Sequence, residues 1–131
     1  MTASMNPEQT IKYMILAVDA RWSKEDLPGD LTGEQVDQKY DELVAQSAHW
    51  DARSEVRCGG VETDLPCEYS RHYESRSVAA KAPNGQWVGW TYWYGGGKHG
   101  EPEAIDWMED AYFLDCIEEQ KVVTVRTFTK P

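Results

Sequence analysis

The side chains best suited to chemistry in this chain are three cysteines and three histidines. Cys58, Cys67 and His72 follow one another as C-x8-C-x4-H, with His49, His99 and Cys116 elsewhere. Zinc sites usually take their thiolates and imidazoles as CxxC or HExxH-type pairs, and neither pattern occurs. A thiol nucleophile would need Cys58 or Cys67 beside His72 or His99 and a carboxylate. With 23 Asp and Glu in 131 residues, such triples arise by chance. A small metal-dependent or thiol enzyme using Cys58, Cys67, His72 and His99 is therefore the alternative reading, and no catalytic or metal-ligating residue is assigned.

The run Gly95-Gly96-Gly97-Lys98-His99-Gly100 invites comparison with a phosphate loop. It lacks the GxxxxGK[ST] spacing, and Glu101 and Glu103 sit where the phosphate would. Glycines that supply positive φ to a connector explain it more simply. No cofactor is implied. Paired acids such as Asp106 and Asp110 are accounted for as solvent-facing residues of a helix.

Upstream of that loop lies the densest aromatic stretch of the chain, Gln86–Tyr94 (QWVGWTYWY). Trp and Tyr combine large contact area with a polar handle, and binding surfaces favour them. Downstream, residues 101–119 carry Glu101, Glu103, Asp106, Glu109, Asp110, Asp115, Glu118 and Glu119 and neither Lys nor Arg. Lys121, Arg126 and Lys130 then make the last twelve residues basic. The net charge of −10 argues against a nucleic-acid backbone or an anionic membrane as partner. An acidic surface instead keeps the protein soluble or docks on a basic partner, and an inhibitor imitating DNA is a special case.

The elements that must position these residues are those of a single α+β domain spanning residues 1–131. Asn6-Pro7-Glu8-Gln9 is a capping box, and Ile11, Ile15, Val18 and Trp22 make one stripe, which predicts a helix over 7–21. Ile11–Val18 is also short and β-branched enough to be a buried strand. Thr32-Gly33-Glu34-Gln35 is a second box; Val36, Tyr40, Leu43 and Val44 follow it, predicting a helix over 33–48. Residues 49–69 lose all period and read as irregular, with one short strand around Ser54–Cys58.

Tyr73–Ala82 and Gln86–Tyr94 flank Pro83-Asn84-Gly85, the signature of a three-residue hairpin loop. That loop pairs Ala82 with Gln86, Ala80 with Val88, Val78 with Trp90, and Arg76 with Tyr92. Val78, Ala80, Val88 and Trp90 then share a core face. Trp87 and Trp93 point the other way, to a face that a helix covers or that stays open. Pro102 with Ala104, Ile105, Met108, Ala111 and Tyr112 predicts a third helix over 102–113. The alternation in Val122–Phe128 predicts a C-terminal strand, 121–128, added to the same antiparallel sheet.

The span Tyr69–Asp115 (YSRHYESRSVAAKAPNGQWVGWTYWYGGGKHGEPEAIDWMEDAYFLD) resembles small acidic uncharacterised proteins of bacteria, phages and mobile elements. The resemblance implies an accessory or interaction role and carries over no activity. Met1–Asn6 lacks the basic residue of a signal peptide, and three cysteines form no secreted disulfide pattern, so the expectation is a cytoplasmic protein. The leading expectation is a protein-binding module without catalysis. Its contact set is Trp87, Trp90, Tyr92, Trp93, Lys98, His99, Glu101, Glu103 and Asp106. A homo-oligomer would use the same aromatic face without a foreign partner.

Overall fold

The computed structural model describes residues 5–67, 70, 71, 73–97 and 100–131, with Glu103 as backbone only. It is an α+β domain of three helices and a four-stranded antiparallel sheet. The helices are α1 (Pro7–Ser23), α2 (Gly33–Ala45) and α3 (Trp50–Cys58). The strands are β1 (Val61–Glu62), β2 (Glu74–Lys81), β3 (Trp87–Tyr94) and β4 (Tyr112–Leu114), in the spatial order β1-β2-β3-β4.

Both capping boxes form. The Asn6 side chain accepts from the Gln9 amide at 2.7 Å and the Gln9 side chain accepts from the Asn6 amide at 3.0 Å, while Thr32 and Gln35 make the same exchange. Residues 10–18 are helix, not strand: Ile11 and Ile15 are fully buried at one helical spacing. The stripe runs out before Trp22, which is half exposed. The first two helices each run into a left-handed residue other than glycine, Lys24 after α1 and Ser47 after α2. The following amides then reach back to close each last turn, Glu25 to the Ala20 carbonyl and Ala48 to that of Leu43. That closure is why α2 stops at Ala45 rather than at 48.

The N-termini of α1 and α2 are tied by Asp37. It accepts from Gln9 Nε2 at 2.9 Å and from Lys12 Nζ at 3.0 Å. The Gln9 hydrogen bond, with the Lys12 ammonium, holds the Asp37 carboxyl below its ordinary range.

The hairpin adopts the expected register. Arg76, Val78 and Ala80 face Tyr92, Trp90 and Val88, and the Ala82 amide donates to the Gln86 carbonyl at 2.8 Å. Gly85 takes φ +90°, the left-handed position that completes the three-residue loop. Val78, Val88 and Trp90 then enter the core built by Ile11, Ile15, Val36, Tyr40, Ala52 and Val56 from the three helices.

Three expectations are corrected. The segment around Ser54–Cys58 is helical, as the second half of α3, because Ala52 and Val56 recur one turn apart and both are buried. The helix expected over 102–113 is only a 3-10 turn, Pro102–Ala104, followed by extended backbone at Ile105. A helix with the Ile105/Met108/Tyr112 stripe inward would leave Trp107 outside. The chain instead buries Trp107 (1 % exposed) with its ring 5.4 Å from that of Trp90, and Met108 beside it. Burying so large an indole outweighs the lost helical hydrogen bonds. The strand expected over 121–128 pairs with no strand among the described residues. The sheet edge beside β3 is taken by β4, where Leu114 faces Trp87 and Tyr112 faces Gly89. Residues 115–131 have no regular structure.

His49, between α2 and α3, is buried against the rings of Tyr40 and Trp50, and its Nδ1 has no partner among the described residues. Burial, then the Arg53 charge, pushes its pKa below 6.5. The native state thus binds fewer protons at His49 than the unfolded chain does. The stability this confers is present above the unfolded pKa and is lost as pH falls through the folded one. The urea midpoint is therefore expected to fall between about pH 7 and pH 5, and His49→Phe is expected to flatten that fall. An unchanged slope in the variant would assign the loss to other groups.

Candidate functional site

The described members of the expected contact set do not share one exposed surface. Trp90 is fully buried in the core and Trp93 is 8 % exposed. The second face of the hairpin is neither open nor covered by a helix. A strap of chain at Thr63–Cys67 lies on it. The Thr63 amide donates to the Ser77 carbonyl at 2.8 Å, Ser77 Oγ donates to the Pro66 carbonyl at 3.1 Å, and Cys67 Sγ lies 3.3 Å from Ser75 Oγ. Trp87 is half buried across from Leu114. A shallow groove of about 470 Å³ between the strap and Asp110 and Tyr112 is what remains of that face.

Glu101 and Asp106 are exposed, but they flank a 3-10 turn and share no helical face. Lys98, His99 and His72 lie outside the described residues, as does the side chain of Glu103. Gly95, Gly96 and Gly97 run at φ +77°, +87° and +70°. That succession is open to glycine and strained for other residues. It turns the chain back so that the Glu101 amide donates to the Tyr73 hydroxyl at 3.3 Å. Cys58, Cys67 and Cys116 are free and exposed. Among the described residues, no group of three or more His, Cys, Asp or Glu is placed to hold a metal.

Of the expected aromatics, Tyr92 is the one placed in a polar cleft, and it stands there with residues that sequence reasoning passed over. It projects from the core face of β3 toward the end of α3, partly buried against the margin of the core. The Arg57 guanidinium stacks over its ring at 4.6 Å, and Tyr92 stacks on Tyr94 at 5.8 Å. Arg76, across the hairpin, caps Tyr94 at 4.6 Å. Two cations thus sandwich two tyrosines, an arrangement favoured by the ring quadrupoles. Arg57 is nearly buried; one of its nitrogens donates to the Trp93 carbonyl, and its own carbonyl accepts from Trp90 Nε1 at 3.3 Å. The hydrogen bond to Tyr94, then the phenol itself, raises the Arg76 pKa above its ordinary value, so the guanidinium stays charged.

The signals for this cluster were partly present. Pairing Arg76 with Tyr92 follows directly from the hairpin register. Arg53 and Arg57 one turn apart become visible only when residues 50–58 are seen as a helix.

The chain matches no protein-family model, no curated protein sequence and no solved structure. Two surfaces of the molecule itself stand out. One is the arginine–tyrosine cluster. The other is the segment after β4, where Ile117, Val122, Val123, Val125 and Phe128 are 75–103 % exposed. Among the described residues, no helix is long and apolar enough to cross a membrane.

Proposed function

We propose that this chain is a protein-binding module that engages its partner through the segment Val122–Phe128. The observation that carries the reading is the exposure of that segment. It is built from strand-forming Val, Thr and Phe, yet its large apolar side chains stay 75–103 % exposed. Scattered exposed apolar residues need no explanation, but a run of this kind is the usual mark of an interaction site. A segment with strand chemistry and free backbone groups binds by adding itself to a sheet edge.

Charge supports a partner with an acidic edge. Arg126 lies within the segment and Lys121 and Lys130 flank it, in contrast to the acidic residues 101–119. Such groups steer association and fix register more than they add affinity. The acidic stretch keeps the remainder of the surface from sticking to itself.

Val123→Lys/Val125→Lys is the variant that tests this. Both side chains are exposed, so folding stability is expected to change by no more than about 0.5 kcal/mol. Affinity capture with the full chain is expected to retain a partner that the double variant loses. Equal recovery by both proteins, or recovery of nothing, contradicts the reading.

A thiol enzyme is the second reading. It draws on Cys58, whose sulfur is 4.0 Å from the Tyr92 hydroxyl and 3.9 Å from an Arg57 nitrogen. The histidines named as its bases lie outside the described residues.

A further inference from the structure

We propose that the cleft between the end of α3 and the Tyr92 end of the hairpin is a binding site for a carboxylate, held by Arg57 and Arg76 beside the Tyr92 ring. The cleft has a volume of about 240 Å³, with Arg57, Cys58, Gly60, Arg76, Val78 and Tyr92 along its wall and Glu62 at its rim.

The argument starts from the cost of Arg57. Removing a guanidinium from water is unfavourable unless a counter-charge or several hydrogen bonds replace the lost hydration. Arg57 is 8 % exposed. It has the Trp93 carbonyl and the face of Tyr92, both partial compensations. Among the described residues, no carboxylate lies within 4.0 Å of it, although the chain holds 23 acids against 13 Lys and Arg. Among the described residues this buried cation has no carboxylate partner, and an anion seated in the cleft would supply its counter-charge.

Arg76 supplies the second cation. Its side chain is half exposed, and its contact with Glu62 at 3.9 Å between two exposed groups is a loose one that an incoming anion can replace. Stacking on Tyr94 fixes its plane. Guanidinium forks match a planar carboxylate, which accepts two parallel N–H bonds from one fork and leaves lone pairs for the other. The Tyr92 hydroxyl adds a neutral donor at the same mouth.

The surroundings select among anions. Glu62 at the rim and the net charge of −10 disfavour a dianion such as phosphate more than a monoanion. Val78 and the face of Tyr92 offer apolar contact to the carbon chain behind the carboxylate. The carboxylate comes either from a free small acid or from a glutamate side chain of a polypeptide, and the chemistry of capture is the same.

The test is a side-chain NMR titration of the full chain, read at the Arg57 and Arg76 Nε–H resonances at constant ionic strength. Three probes are compared, sodium acetate, N-acetylglutamic acid α-amide and sodium phosphate. Saturable shifts of both arginines with acetate are expected, at millimolar concentrations for so small a ligand. The glutamyl amide binding more tightly than acetate supports a polypeptide source; equal binding supports a free acid. Arg76→Gln keeps the half-exposed position filled and leaves Arg57 and its packing in place. It is expected to weaken binding about tenfold or more. Shifts that fail to saturate with either carboxylate would overturn the proposal, as would phosphate binding more tightly than acetate. Wild-type affinity in Arg76→Gln would overturn it too.

Discussion

Trp90→Ala is expected to cost about 3–5 kcal/mol, the range found when a fully buried aromatic is truncated. Domains of this size are stable by only about 5–15 kcal/mol, so much of the native population is at stake. Three separate losses meet at this residue. Its indole is fully buried and its ring is tilted against Trp107 at 5.4 Å. Its N–H satisfies the Arg57 carbonyl near the end of α3, so that truncation leaves a buried acceptor without a partner. Val78, directly across the hairpin, loses the neighbour that seals the sheet to the helices. Urea denaturation followed by far-ultraviolet circular dichroism measures the effect. A loss under about 1 kcal/mol would mean that the core closes over the gap and that Trp90 is not its centre.

Gly60→Ala is the second large effect, and it acts on the same contact from the other side. A Cβ at Gly60 would stand 2.9 Å from Val78 Cβ, 3.0 Å from its Cγ2 and 3.1 Å from the six-membered ring of Trp90. Neither neighbour can step aside, because Val78 is β-branched in a paired strand and Trp90 is enclosed. The backbone between α3 and β1 has to move instead, and overpacking of this kind costs about 1–3 kcal/mol. The shift also reshapes the cleft beside Arg57, since Gly60 lines it. Stability is expected to fall. A variant as stable as the parent would show that the α3–β1 connection yields freely.

These two residues indicate how far the sequence could be read. Local rules with a single solution came through. The Asn6/Gln9 and Thr32/Gln35 boxes need only four residues each, and Pro83-Asn84-Gly85 sets every pair in the hairpin at once. Choices made by tertiary packing did not. Trp50–Cys58 is a nine-residue helix whose N-cap makes no side-chain hydrogen bond, so no local signal announces it. Residues 102–113 carry a helical period that burial of Trp107 overrides. Nothing in the sequence marks Arg57, because an arginine in an acidic chain is normally solvent-exposed. Its burial depends on α3 meeting β3. The hairpin register fixes the faces of the β3 tryptophans, with Trp90 on the core side. What the sequence could not show was the Thr63–Cys67 strap, whose hold on the sheet runs through Ser75 and Ser77.

The alternation in Val122–Phe128 has the same lesson in reverse. Strand chemistry was legible, but the place beside β3 is taken by Tyr112–Leu114 and residues 122–128 join no strand among the described residues. The proposed interaction role would resolve the conflict between a strand-forming sequence and a segment with no strand beside it among the described residues. Backbone amide hydrogen exchange on the captured complex, whether the partner is a second copy or another protein, tests that claim most directly. In the free chain, residues 122–128 are expected to exchange at the rate of an open segment. In the complex, alternate amides across 122–128 are expected to become protected, because an added edge strand bonds through every second residue. Protection confined to the helices, with 122–128 exchanging as fast as in the free chain, would contradict the account.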